Sequence, residues 1–326
     1  MKTKISRRKA IEKGVMGGLA TLGSYAFAAE SLAQDASKKK VPEDMLPFRI
    51  SMNTSTLMAY KLPVDQQIDM VAEAGFGGIE LWMRDIMAFL EAGGDITMLK
   101  DKLDSGNLVL ENIIGFSEWC SDDAQKRTKA INQLREEMLI IAQLGGKYVA
   151  APVMGLESFE RSQLDVYAQR YREILELEKE TGVIPVIEIW GSGKLNKVAD
   201  CTHIVLSSGH PSATMLLDFY HVYRGGNDWD TLHCLNGKRL PVIHMNDYPA
   251  SPPQQELTDA HRLFPGEGIC PFNTVLPQLY KAGFRGGLSV ELFNKEYWAS
   301  MDAQTILKTS YDKTRQVIVE ALKGQI

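Results

Sequence analysis

The chain has 326 residues, 24% of them charged, and a formal net charge of −5, so its length supports one large domain or two ordinary ones with a real core. An acidic balance argues against non-specific binding to nucleic-acid backbones, where Lys and Arg supply most of the affinity. Cys120, Cys201, Cys234 and Cys270 lie far apart with no CxxC spacing, which excludes a sequence-evident zinc knuckle or disulfide framework.

The first residues, MKTKISRRKAIEKG, lead into an apolar, Gly/Ala-rich run from Val15 to Ala29. Arg7-Arg8 after Ser6, followed by the small residues Ala26, Ala28 and Ala29, reads as a twin-arginine export signal over residues 1–28, cut near Ala28 or alternatively near Ala33. A Sec signal or an uncleaved anchor is the competing reading. The apolar run falls short of the about 20 residues of a membrane span, so no stable membrane anchor is expected after cleavage and the protein is expected to be exported and periplasmic. Removing residues 1–28 takes away six basic residues and Glu12, which lowers the net charge from −5 to −10. Residues 29–46, with Lys38–Lys40, read as a linker, and 47–326 as the folded domain.

Short apolar runs then recur at Phe48–Met52, Gly78–Trp82, Leu108–Ile114, Tyr148–Val153, Ile184–Trp190, Met215–Tyr220, Val242–Met245 and Leu288–Leu292. Between them, stretches such as Val64–Ala74, Ala124–Leu144, Leu164–Thr181 and Phe272–Ala282 repeat their apolar residues at three and four positions, the period of a helix. Several of these end on a glycine, at Gly75, Gly145, Gly182 and Gly283, as a helix turning into a strand requires. Eight strands, each followed by a helix, predict a single-domain α/β fold, a parallel TIM (β/α)8 barrel. A doubly wound open sheet is the runner-up, but no GxGxxG turn follows the first strand.

In such a barrel the chemistry sits where the strands end. There VIPVIEIW delivers Glu188, ATMLLDFYH Asp218, LPVIHMNDY His244 and GGLSVELF Glu291. One carboxylate at a strand end is an ordinary rim residue, and a lone histidine is more often packed than metal-bound. Four consecutive strands bringing three carboxylates and an imidazole to one rim require a cation, because buried like charges repel. The set suits one divalent ion, Mn²⁺ first, with Mg²⁺, Co²⁺ or Zn²⁺ also compatible. Glu80, at the end of the second strand, is expected either at the substrate or capping the rim. Trp82, Trp119 and Trp190 follow strand ends, where a ring can stack on a bound ligand or pack in the core; Trp190 is the one expected to bind substrate. Asn246 and Asp247, just after His244, are expected either to orient it from behind or to be ordinary loop polars.

The segments VIEIWG, LLDFYHVYRGG, VIHMNDYP, HRLFPGEG and LSVELF resemble the xylose isomerase-like TIM barrels, the superfamily of sugar phosphate isomerases/epimerases, D-tagatose 3-epimerase-like enzymes and family 2 AP endonucleases. The resemblance runs from about Phe48 to the C-terminus and is strongest in the second half. It implies metal ligands Glu188, Asp218, His244 and Glu291, with Glu188 and Glu291 also the catalytic acid/base pair. It further implies substrate-binding roles for His221 and Arg262. The expected activity is isomerisation or epimerisation of a free or oxidised sugar by proton transfer through an enediolate, because no phosphate cradle accompanies the motifs. A lyase or dehydratase acting on a 3-keto-glycoside or keto-sugar is the alternative. A non-catalytic sugar-binding module is a weaker fit, since all four ligands are present. DNA repair is weaker too, since Glu80, Ser117, Glu118 and Met154 near strands two to four include no histidine. The expected partner is a small-molecule sugar, not a nucleic acid; assembly as a homo-oligomer stays open.

Overall fold

A computed structural model describes residues 46–325; the expected export signal and all of the linker but Leu46 lie outside the described residues. Eight strands form the centre: β1 (Arg49–Asn53), β2 (Gly78–Trp82), β3 (Val109–Ile114), β4 (Tyr148–Ala150), β5 (Ile184–Glu188), β6 (Met215–Asp218), β7 (Val242–Met245) and β8 (Gly287–Val290). Each pairs in parallel with its sequence neighbours, and β8 returns to β1 to close the barrel. Closure rules out the open doubly wound sheet. Gly75, Gly145, Gly182 and Gly283 have φ of +89°, +80°, +72° and +93°, a left-handed turn that costs glycine nothing.

Four strands, β4, β5, β6 and β8, stop earlier than the apolar runs suggest, the first three for a visible local reason. After Ala151 N–H donates to Val186 O at 2.8 Å, Pro152 has no N–H to continue β4. Past β5, Trp190 pairs with Leu195 in a tight turn. At the end of β6, the Asp218 side chain accepts from His221 N at 2.8 Å and caps a short helix, Phe219–Arg224. The predicted helix over 164–181 is two helices, Leu164–Leu175 and Glu178–Thr181.

Side chains alternate across a strand, and that period layers the barrel interior. Val186, Leu216 and Val242 form a small apolar cluster of their own; two residues further along β5, β6 and β7 stand Glu188, Asp218 and His244. Beneath, at the N-terminal end, Glu111 accepts from Arg49 Nε at 2.6 Å, Arg49 Nη2 at 3.0 Å and Ser51 Oγ at 2.6 Å. Glu111 is the extra residue of a bulge: Ile79 pairs with Leu110 but Glu80 with Asn112. The bulge lets Glu111 reach the bottom layer while the next residue, Asn112, serves the top. Only glycine fits beside it, since a Cβ at Gly78 or Gly287 would lie 2.3 or 2.4 Å from Glu111 Oε1.

Candidate active site

Adjacent strands place Asp218 level with His244 across β6 and β7. His244 Nδ1 lies 3.3 Å from Glu188 Oε1, 3.5 Å from Asp218 Oδ2 and 3.1 Å from Glu291 Oε2. All four residues are at least 95% buried. Despite these approaches, Nδ1 has no hydrogen-bond partner. Ligand atoms of Glu188, Asp218 and His244 lie within 4.8 Å of one another. An unpartnered buried imidazole nitrogen facing carboxylate oxygens is a donor set that a divalent cation satisfies.

Electrostatics follow from this crowding. Burial pushes the His244 imidazolium down, but the carboxylates of Glu291 and Glu80 overcome it and hold its pKa well above the usual value. Glu291 moves the other way for an acid: burial pushes it up to about 7 against the pull of His244 and Arg262. Asp218 is also opposed by burial, yet Arg262 and His221 hold it well below the carboxylate range.

Arg262 reaches in from the loop after β7. Its Nη1 donates to Asp218 Oδ2 at 2.5 Å and Glu291 Oε2 at 2.8 Å. Its Nε and Nη2 donate to Asp259 Oδ1 at 3.1 and 2.9 Å, and Nη2 lies 3.1 Å from His221 Nε2. Glu291, one residue beyond β8, therefore divides its oxygens: Oε2 faces His244 and Arg262, while Oε1 accepts from Asn53 Nδ2 at 3.1 Å.

Two expectations meet a different geometry. Glu80 is 0% exposed and stands behind His244, 3.2 Å from Nε2, where Asn112 Nδ2 (3.1 Å) and Asn53 Nδ2 (3.4 Å) hold it. It faces the imidazole rather than the open cavity, an orienting position. Asp247 does not touch His244. Its carboxylate accepts from the backbone N–H groups of Tyr248, Gly266, Gly268 and Cys270, and its backbone bridges Leu263, so it ties down the loop that carries Arg262. Asn246 donates to Asp218 Oδ2 at 3.2 Å and accepts from Tyr220 N at 2.8 Å; it steadies Asp218 instead of His244.

A cavity of about 210 Å³ opens beside this cluster, lined by Glu188, His221, Asp259, Arg262 and Glu291 together with the rings of Trp82, Phe116, Trp190 and Phe293. Trp119 is absent from its walls: fully buried, it donates through Nε1 to Pro152 O at 2.9 Å. Sequence reasoning missed Asn53, Asn112 and Asp259. The signal for Asn53 was present, a polar residue closing the strand RISMN in the way Glu188 closes its own.

The profile of the xylose isomerase-like TIM barrel family matches residues 68–317. An inosose isomerase of Halalkalibacterium halodurans is 28% identical over 173 residues, 52% of this chain and 61% of that protein; the match thus spans under two thirds of that relative. A 3-dehydroshikimate dehydratase of Pseudomonas putida is 21% identical over 249 residues, 73% of this chain and 37% of that protein. Among solved structures, the IOLI protein with a binding zinc atom superposes with a TM-score of 0.78 at 20% identity, covering 85% of this chain and all of that one.

Proposed function

The chain belongs to the xylose isomerase-like TIM barrel family, and on that premise we propose that it is a divalent-metal-dependent isomerase or epimerase of a free or oxidised sugar. The observation that carries this reading is the unpartnered His244 Nδ1, enclosed by the carboxylates of Glu188, Asp218 and Glu291, of which Glu188 and Glu291 line the cavity. Glu188, Asp218 and His244, with Glu291 beside them, would hold the ion, Mn²⁺ first, and it would supply Lewis-acid stabilisation to negative charge developing next to a carbonyl.

The chain's own groups account for the proton. Glu291, on the cavity wall, takes a proton from carbon, and the C–H electron pair moves toward the adjacent carbonyl oxygen. Glu188, on the same cavity, relays a proton from solvent to that carbon, and the proton on Glu291 is lost to solvent. Arg262 and His221 line the cavity; His221 is placed to orient substrate oxygens and Arg262 orients the Asp218 and Glu291 carboxylates it pairs with, while Asn53 fixes the Glu291 oxygen that Arg262 leaves free. Glu80 orients His244 from behind.

A second reading keeps the same first step and expels a leaving group instead, as a lyase or dehydratase; similarity to a 3-dehydroshikimate dehydratase supports it. For residues 1–28 we retain the export reading, with the enzyme acting in the periplasm; fractionation of cells expressing the full chain tests it. The decisive experiment on the chemistry incubates the Mn²⁺-loaded protein in D₂O with a ketohexose, an inosose and a 3-keto-glucoside. Deuterium should enter at the carbon next to the carbonyl, with loss of water or aglycone marking the second reading. Exchange into none of the three would sink the proposal.

A further inference from the structure

The sequence repeats one small pattern at three strand ends: Glu80-Leu81-Trp82, Glu188-Ile189-Trp190 and Glu291-Leu292-Phe293. Because side chains two apart share a face, each aromatic ring stands one layer above its glutamate, toward the mouth. Phe116, two residues past Ile114 at the end of β3, joins them. The rings form a continuous arc, with centroids 6.4 Å apart for Phe293 and Trp82, 5.3 Å for Trp82 and Phe116, and 6.1 Å for Phe116 and Trp190. Core packing does not account for the whole arc, since all four rings line the cavity and Phe116 is 43% exposed.

Charge on the same walls narrows what the arc can hold. Among the described residues lining the cavity, Glu188, Asp259 and Glu291 are acidic and Arg262 is the one Lys or Arg. Its guanidinium is already spent on Asp218, Glu291 and Asp259. At the arc, one layer above the carboxylates that would hold the ion, an anionic group would therefore meet no lining Lys or Arg free to receive it, and Arg84, which lies over the Trp82 ring, is paired with Asp85.

We propose that this arc is a subsite for a planar, uncharged aromatic group, so that the substrate is a neutral sugar ketone carrying an aryl substituent. The sugar ring lies on the carboxylate layer and the aryl group stacks against Phe116 and its neighbouring rings. This assignment rests on the proton-transfer reading above for the sugar half only.

The test measures binding to the Mn²⁺-loaded protein by calorimetry, using phenyl, methyl and 4-carboxyphenyl β-D-glucosides as probes. Phenyl should bind about tenfold tighter than methyl, the scale of one aromatic stacking contact with its buried area, and 4-carboxyphenyl should lose that gain. In Phe116→Ala and Phe116→Leu, both checked for an unchanged far-UV spectrum, the phenyl-to-methyl ratio should fall several-fold. A ratio near one in the wild type, a ratio untouched by both variants, or a 4-carboxyphenyl probe that binds as well as phenyl would each overturn the subsite. The 3-keto forms of the phenyl and methyl probes, followed by deuterium exchange, separate the two ideas. Exchange without phenyl preference removes the subsite alone; phenyl preference without exchange removes the proton-transfer reading alone.

Discussion

At the N-terminal end of the barrel one buried carboxylate, Glu111, meets the guanidinium of Arg49 and the hydroxyl of Ser51. At the C-terminal end four buried carboxylates, Glu80, Glu188, Asp218 and Glu291, share one guanidinium and two imidazoles. The lower cluster has its charge balanced by its own partners, with its space cleared by Gly78 and Gly287. The upper cluster carries negative charge in excess, which a fold tolerates only when a further cation relieves it. On the proposed reading the first end serves stability and the second chemistry, although the same period-two pattern builds both.

Substitutions should separate the two ends. Asp218→Asn should lower the catalysed deuterium exchange by about 10³-fold or more, since a bound dication contributes several kcal/mol to charge stabilisation; a variant with wild-type exchange and metal content would break the contrast. Glu80→Gln should weaken Mn²⁺ binding by about 10- to 100-fold, as expected for loss of the carboxylate that orients a ligating histidine. Calorimetric titration with Mn²⁺ checks this, and unchanged affinity would return Glu80 to a purely packing role. Glu111→Gln should do the reverse: it should leave metal content intact and cost about 2 kcal/mol of stability, the worth of hydrogen bonds to a charged partner, read by urea unfolding.

The smallest effect concerns pH. His244 is held above its usual pKa, so its contribution to stability is present below about pH 6.5 and is lost as pH rises through the folded value. Glu291, raised to about 7, favours the fold while protonated and loses that contribution as pH rises toward and past 7. Both signs agree: in chelator the melting temperature should fall between pH 6 and 9, by about 3 °C or more, and saturating Mn²⁺ should flatten the decline. A melting temperature that rises with pH in chelator would contradict the excess-charge account.

Much of this was legible in the sequence because it depends on local pattern. Apolar runs ending in Glu188, Asp218 and His244 needed only period two and the rule that barrel chemistry sits at strand ends. The roles of neighbours were harder. Glu80 and Glu188 stand in nearly the same sequence context, yet one is walled in by Asn53 and Asn112 and the other lines the cavity; the β3 bulge that turns Asn112 inward leaves no mark in composition. Asp247 looks like a partner for His244 because it is three residues away. Only the return of the chain at Gly266–Cys270 shows which backbone N–H groups it serves. Asp259 was invisible because its importance comes from Arg262, on the far side of a 3₁₀ turn.

The placement of the tryptophans gives the molecule an optical property. Of its five tryptophans, Trp82 and Trp190 stand on the cavity wall while Trp119 is sealed in the core. A ligand settling into the mouth should quench or shift the emission of the first two and leave the third as a steady internal standard. Binding can then be followed by the protein's own fluorescence, without a label and without turnover.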